Sequence, residues 1–229
     1  MQAVIFDLDG TIVFSHPTHF AAYERLFKKF GIKWNYKEFN DIFAGTGAPS
    51  IIKLILERHG IKNLDLPALV QEKRNYFDEI LAEKGFNVVP GFFEFLARIN
   101  KLGLKKAIAS GSSKQNIITM LKSIGVLNEF PEIVSGEEVA NPKPAPDIFL
   151  EAARRINVAP SECLVIEDTE HGINAAKSAG MKCIALLTTL SEEVLKTAKP
   201  DEIVKDYTKI LNTINRHPSL QTHIHQKIV

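Results

Sequence analysis

The chain has 229 residues, 45% of them hydrophobic, and 28 Lys+Arg nearly balance 27 Asp+Glu to leave a formal charge of +1. That is ample for a sizeable core and suits one large domain or a core carrying a smaller one; it offers no basic surface for nucleic acid, whose binding rests largely on neutralising phosphates. No apolar run approaches the ~20 residues needed to span a bilayer, and the N-terminus lacks a basic stretch before an apolar one, so neither a membrane anchor nor a cleaved leader is expected.

The first element is AVIFD (3–7), a strand-like run that ends in two carboxylates, Asp7 and Asp9, and a Gly10-Thr11 turn. A buried strand has no ordinary use for an unpaired carboxylate, because its desolvation is expensive unless something compensates. From Ser15 to Gly85 the pattern is helical throughout. THFAAYERLFKKFG places Phe20, Tyr23, Phe27 and Phe30 on one face at spacings of three and four, and helical pieces follow around Tyr36–Phe43, Ser50–His59 and Pro67–Lys84. Gly45-Thr46-Gly47-Ala48-Pro49 reads as a turn between two of them. Some seventy residues of helix inserted after a first strand predict a separate helical subdomain, 15–85, set into a core formed by 1–14 and 86–229. Trp34 and the phenylalanines of this segment read as its core rather than as a platform for a ligand.

From about residue 90 strand and helix alternate. KKAIAS (105–110), EIVSG (132–136), CLVIED (163–168) and KCIALL (182–187) are nearly continuous apolar runs, as strands covered on both faces are. NIITMLKSIG (116–125), APDIFLEAARRIN (145–157) and EHGINAAKSAG (170–180) are the helices between them. The alternation predicts an α/β, Rossmann-like parallel sheet with right-handed crossovers. Cys163 and Cys183 lie in separate apolar runs without metal-like spacing and read as buried reduced thiols, in keeping with a cytoplasmic protein. The C-terminal stretch 216–229, with His217, His223 and His225, reads as a loose tail, and nothing demands more than a monomer.

Parallel sheets place their ligands at the carboxyl ends of the strands. Four such ends here carry polar groups in succession: Asp7 with Asp9, then Ser110-Gly111-Ser112, then Lys143 in NPKPAPD, then Glu167-Asp168. Taken singly, Ser-Gly-Ser is a turn, a lysine between prolines is a solvated loop, and Glu-Asp is a helix cap. In order at successive strand ends they describe a phosphate site. Four crowded carboxylates repel one another unless a divalent cation lies among them, and hard oxygen donors suit Mg2+ better than zinc. Lys143 and the Ser110 hydroxyl would then face the remaining phosphate oxygens.

FDLDGT, the SGS tip, the KPAPD lysine and IEDTEHGINAAKSAGM resemble the four signature motifs of the haloacid dehalogenase-like hydrolases, and the layout is similar to the β-phosphoglucomutase-like branch, whose helical cap follows the first motif. The resemblance implies a Mg2+-dependent phosphatase acting on a small phosphorylated metabolite. In it Asp7 is the nucleophile that forms an aspartyl-phosphate and Asp9 the acid and base, with Lys143 and Ser110 supporting. It further implies a metal on Asp7, the main-chain carbonyl of Asp9 and Asp168, with Glu167 further out. Thr11, Gly111, Ser112, Gly45, Thr46, Gly47 and His19 are the candidate substrate contacts. His19 stands where the resembled mutases carry a hinge histidine that assists proton transfer; a solvent-exposed helix-start histidine is the alternative. Against a mutase, Ala48 stands where those enzymes carry a phosphate-gripping arginine, Ser112-Ser113-Lys114 replaces their Ser-Lys-Asn, and Phe14 stands where many relatives have an aspartate, although Lys53 or Arg74 would restore charge. The connections Phe14–Pro17 and Lys84–Pro90 are the expected hinges of a cap that opens and closes.

Overall fold

A computed structural model describes residues 1–43, 47–62 and 64–210, without the side chains of residues 40, 41 and 43. Gly45, Thr46 and the C-terminal histidines therefore lie outside the described residues. The chain forms two compact units: one made of Met1–Val13 and the chain from Val88 onward, the other of Phe14–Asn87.

The first unit is built on a six-stranded parallel sheet. Its strands are β1 (Ala3–Phe6), β2 (Lys105–Ser110), β3 (Glu132–Ser135), β4 (Cys163–Glu167), β5 (Lys182–Leu186) and β6 (Glu202–Val204). The order across the sheet is β3-β2-β1-β4-β5-β6, so β1 is central and the strand order reverses there. That reversal is where an open parallel sheet leaves a crevice at its carboxyl edge. The register pairs Phe6 with both Ile108 and Ile166, which sets the tips of β1, β2 and β4 side by side.

Alternation along β1 decides what each face buries. Ala3 and Ile5 join Ala107, Ala109, Cys163 and Val165 beneath Ile148, Phe149, Ile173 and Leu195. Phe6 points the other way and meets Phe92, Phe95 and Phe130 edge-on, with ring centroids 5.6–6.1 Å apart. Each such side chain contributes about 1.5–3 kcal/mol by leaving water. Cys163 and Cys183 are buried free thiols within this core.

Several boundaries differ from the periodicity. The β1, β3, β4 and β5 runs each end one residue earlier, where the chain turns to present its polar tip. The helix expected from residue 145 begins at Asp147, because Ala145 N–H is held by the Pro142 carbonyl at 3.0 Å in a preceding turn. Pattern did not delimit β6, only three residues long, or the helices Phe92–Lys101 and Glu192–Thr197. Among the described residues no helix is long and apolar enough to cross a membrane.

The second unit contains α1 (His16–Lys28), α2 (Tyr36–Phe43), α3 (Ala48–Arg58) and α4 (Leu66–Lys84). Ala48 and Pro49, expected in a turn, form the first turn of α3, a position that suits proline. Asp65 caps α4 by accepting from Ala68 N–H at 3.1 Å. Trp34 lies at the centre of an aromatic core, edge-on to Tyr23, Phe27 and Phe39 at 5.3–5.7 Å. It packs as core, as its sequence context suggests.

Candidate active site

The site is built in the first unit, at the tips of β1, β2 and β4. Asp7 follows β1 directly; its N–H continues the ladder to the Ile166 carbonyl at 3.0 Å, so its position is fixed by the sheet. After it the chain makes a tight turn, in which Leu8 O accepts from Ile12 N–H at 2.9 Å and Gly10 N–H bonds Val13 O at 2.8 Å. Gly10 has φ +79°, and a Cβ there would overlap Asp168 Oδ2. Only glycine fits, both for the conformation and for the approach of Asp168.

Lys143 occupies the middle. Its ammonium donates to Asp7 Oδ1 at 2.6 Å, Glu167 Oε1 at 2.7 Å and the Ala109 carbonyl at 3.2 Å, and lies 4.9 Å from the centroid of the Phe149 ring. The side chain is 9% exposed, so these are charge-assisted bonds in a poorly solvated place. The reading of Lys143 as a solvated loop lysine is thereby excluded. Burial and then competing charge set the titration of its partner: burial pushes Asp7 up to about 7, Lys143 pulls it down, and Glu167 and Asp9 push it up again. Burial, then Glu167 and Asp7, raise Asp168 in the same way.

Asp9 is half-buried and its carboxylate turns towards β2. Ser112 donates to Asp9 Oδ2 at 2.7 Å and Ser110 to the same oxygen at 3.3 Å, while Ser110 Oγ accepts from Ser112 N–H at 3.1 Å. Glu167, expected further out from a metal than Asp7 and Asp168, is held by several hydrogen bonds. Besides Lys143, its carboxylate accepts from Asp168 N–H at 2.7 Å, Thr169 N–H at 2.8 Å and Thr169 Oγ1 at 2.9 Å. Gly172 makes room for it, since a Cβ at that position would fall on the Glu167 carboxylate. Thr11, expected to support the loop or touch phosphate, is wholly buried and donates to Asp168 Oδ1 at 3.0 Å.

Among the described residues no three His, Cys, Asp or Glu side chains gather as a metal-holding set. Glu167 bonds Lys143 and the start of the helix Glu170–Ser178, and Asp9 faces the serine loop. Asp7 accepts from Lys143, and Asp168 from Thr11 and Thr189.

The remaining expected residues are placed as follows. Gly111 is exposed beside Ser110 and Ser112, and Gly47 is exposed at the start of α3 in the second unit. His19 belongs to α1 of that unit and is buried. Its ring stacks on Phe77 at 4.4 Å and its Nδ1 lies 2.6 Å from Lys73 Nζ, which excludes the solvent-exposed alternative. Two residues with structural ties to the site were not singled out in the sequence. Thr169 is marked only by its place after Glu-Asp, and Thr189, bonded to Asp168 Oδ2, only by following a strand.

Comparison with known proteins follows the same lines. The profile of the family described as haloacid dehalogenase-like hydrolase matches residues 4–186. The chain is 36% identical to the chloroplastic protein SUPPRESSOR OF QUENCHING 1 of Arabidopsis thaliana over 92% of its own length, but spans only 20% of that relative. It is 28% identical to a phosphorylated carbohydrates phosphatase of Thermotoga maritima, covering 92% of this chain and 100% of the relative. With the β-phosphoglucomutase of Bacillus subtilis the figures are 31%, 81% and 83%. The crystal structure of CbbY from Rhodobacter sphaeroides in complex with phosphate superposes with a TM-score of 0.82 at 28% identity, covering 92% of this chain and 96% of that one.

Proposed function

Because the chain belongs to the haloacid dehalogenase-like hydrolases, we propose that it is a Mg2+-dependent phosphatase of small phosphorylated metabolites, phosphorylated carbohydrates first among them. One observation carries the reading: Asp7 at the tip of β1 stands 2.6 Å from the buried Lys143 ammonium, with the Asp9 carboxylate beside it held by Ser112. A nucleophile, a positive charge and a second carboxylate of separate environment are thus supplied by one sheet edge.

Asp7 attacks the phosphorus, forming an aspartyl-phosphate as the bond to the leaving oxygen breaks. Asp9 delivers its proton to that oxygen, then takes one from the water that attacks the aspartyl-phosphate, releasing inorganic phosphate and restoring Asp7. Lys143 holds Asp7 in position and offers charge to the phosphoryl oxygens. The Ser110 and Ser112 hydroxyls orient Asp9.

The residues present fit a hard divalent cation. Asp7 and Asp168 are buried carboxylates, each raised first by burial and further by neighbouring negative charge, and an ion between them would relieve that repulsion. One or two carboxylates with retained waters are the usual protein share of a Mg2+ site. Asp7, Asp168 and the Asp9 carbonyl would hold it, and the ion would supply charge neutralisation for the approaching phosphate. The helical second unit is proposed as the cap that selects substrate, with Gly45, Thr46, Gly47 and His19 its candidate contacts.

The mutase reading draws on the Bacillus subtilis relative. What disfavours it is the loop after β2: Ser113 caps the next helix, accepting from Asn116 N–H at 3.4 Å, and Lys114 Nζ is tied to the Ile133 carbonyl at 2.5 Å and Glu138 at 3.3 Å. A cation so engaged is not presented to a second phosphate. The test is turnover of p-nitrophenyl phosphate and a panel of phosphorylated sugars with Mg2+. Release of phosphate by the wild type and none by Asp7→Asn supports the proposal; equal rates would defeat it. Supplying a hexose 1-phosphate with catalytic hexose bisphosphate separates the two activities, since accumulation of the 6-phosphate isomer without free phosphate identifies a mutase.

A further inference from the structure

The loop after β5 brings a side chain to the site that the proposed chemistry does not use. Thr189 stands three residues beyond the end of β5, and its hydroxyl donates to Asp168 Oδ2. Thr11, from the turn after β1, donates to the other oxygen, Oδ1, at 3.0 Å. Asp168 itself is wholly buried. Gly10 closes the third side: a Cβ on it would overlap Asp168 Oδ2 and lie 2.5 Å from Thr189 Oγ1, so the three residues are in mutual contact.

The torsion that turns an aspartate carboxylate about its Cβ–Cγ bond is soft, with no sharp staggered wells. One donor on one oxygen leaves that rotation loose. Two donors from separate loops, one on each oxygen, fix the plane. A carboxylate has about four acceptor positions. Two threonine hydroxyls therefore leave lone pairs on both oxygens.

We propose that Thr189 is a positioning residue for Asp168: its hydroxyl sets the plane of that carboxylate and aims the remaining lone pairs at a divalent cation shared with Asp7. The inference rests on the cation reading given above for this site. Partners of this kind, one bond removed from the ion, are worth about 10–100-fold in metal affinity.

The test uses the full chain and Mg2+ alone, titrated calorimetrically without substrate. Thr189→Val keeps the shape and removes the hydroxyl; Thr189→Ser keeps the hydroxyl. The expected result is a Mg2+ dissociation constant raised about 10–100-fold in Thr189→Val and returned to within about threefold of wild type in Thr189→Ser. In turnover assays the Thr189→Val loss should shrink as Mg2+ is raised to saturation, whereas a general packing defect would persist. If Thr189→Val fails to fold by circular dichroism, Thr189→Ala replaces it as the hydroxyl-free variant. A hydroxyl-free variant that binds Mg2+ within about twofold of wild type overturns the role, as does a Thr189→Ser as weak as Thr189→Val. Failure of the wider reading looks different: there the wild type itself neither binds Mg2+ nor releases phosphate.

Discussion

Replacing Lys143 with methionine removes the ammonium that stands 2.6 Å from Asp7 and 2.7 Å from Glu167, and puts nothing polar in its place. Asp7 and Glu167 are then left as buried carboxylates that already repel one another. Removing one partner of a buried ion pair typically costs about 3–5 kcal/mol, because the stranded charge has no water to return to. For a chain of this length each kcal/mol moves the melting temperature by about 2–4 °C, so Lys143→Met should melt about 6–20 °C below wild type in metal-free buffer at pH 8. The penalty must also depend on pH in a definite direction. Asp7 sits at about 7 with Lys143 present, pushed up by burial, and losing the lysine can only raise it further. An acid whose folded-state value exceeds its unfolded one adds stability below the unfolded value and loses it as pH rises through the folded one. The gap between variant and wild type should therefore be widest above pH 7 and shrink as pH falls towards 4. Thermal unfolding followed by circular dichroism at pH 8 and pH 5 measures both. A variant that melts within about 2 °C of wild type at pH 8, or a gap that grows on acidification, would refute the reasoning.

Asp9→Asn should lower kcat/KM, which reports the step that expels the leaving group, by about 10²–10⁴ on an alkyl phosphate, whose leaving oxygen needs a proton, and by less on p-nitrophenyl phosphate, whose leaving group does not; equal losses of kcat/KM on both would remove Asp9 from the acid role. Gly10→Ala places a Cβ on the Asp168 carboxylate at a φ of +79°, and should cost more than about 1 kcal/mol in stability and most of the Mg2+ dependence, read from thermal melts with and without the ion. Burial pushes the Cys163 thiol up to about 11 and raises Cys183 as well, so at pH 8 only about one Cys163 in a thousand is a thiolate. Ellman's reagent should report two thiols in denaturant and nearly none in the native protein; fast native reaction at either position would contradict the burial.

What could be read in advance was what is written locally. An apolar run of four or five residues with no polar alternation forms a central parallel strand, and the residue types that follow it mark the tip; Asp7, Ser110 and Asp168 needed no more than that. The same local logic failed at the 202–204 strand, where three residues beside charged neighbours carry too little pattern to stand out, and their pairing with β5 supplies what the segment lacks. It left His19 open between a hinge role and a solvent-exposed helix start. A histidine near a helix start looks exposed, and Lys73 looks like one more charge on a long charged helix. Only the packing of α1 on α4 brings the two rings and the ammonium of His19, Phe77 and Lys73 together.

The order of chemical groups along the chain, two carboxylates, a serine loop, a lysine and an acidic pair, was determined by the sequence itself, because each follows its own strand and strand tips in a parallel sheet share one edge. Which oxygen meets which donor was decided only by tertiary structure. Glu167 bonds Lys143 and a helix start, and Asp168 is held by two threonines far apart in the chain. Neighbouring carboxylates that look equivalent in sequence are told apart by side-chain direction, and direction follows from what lies across the sheet and above it.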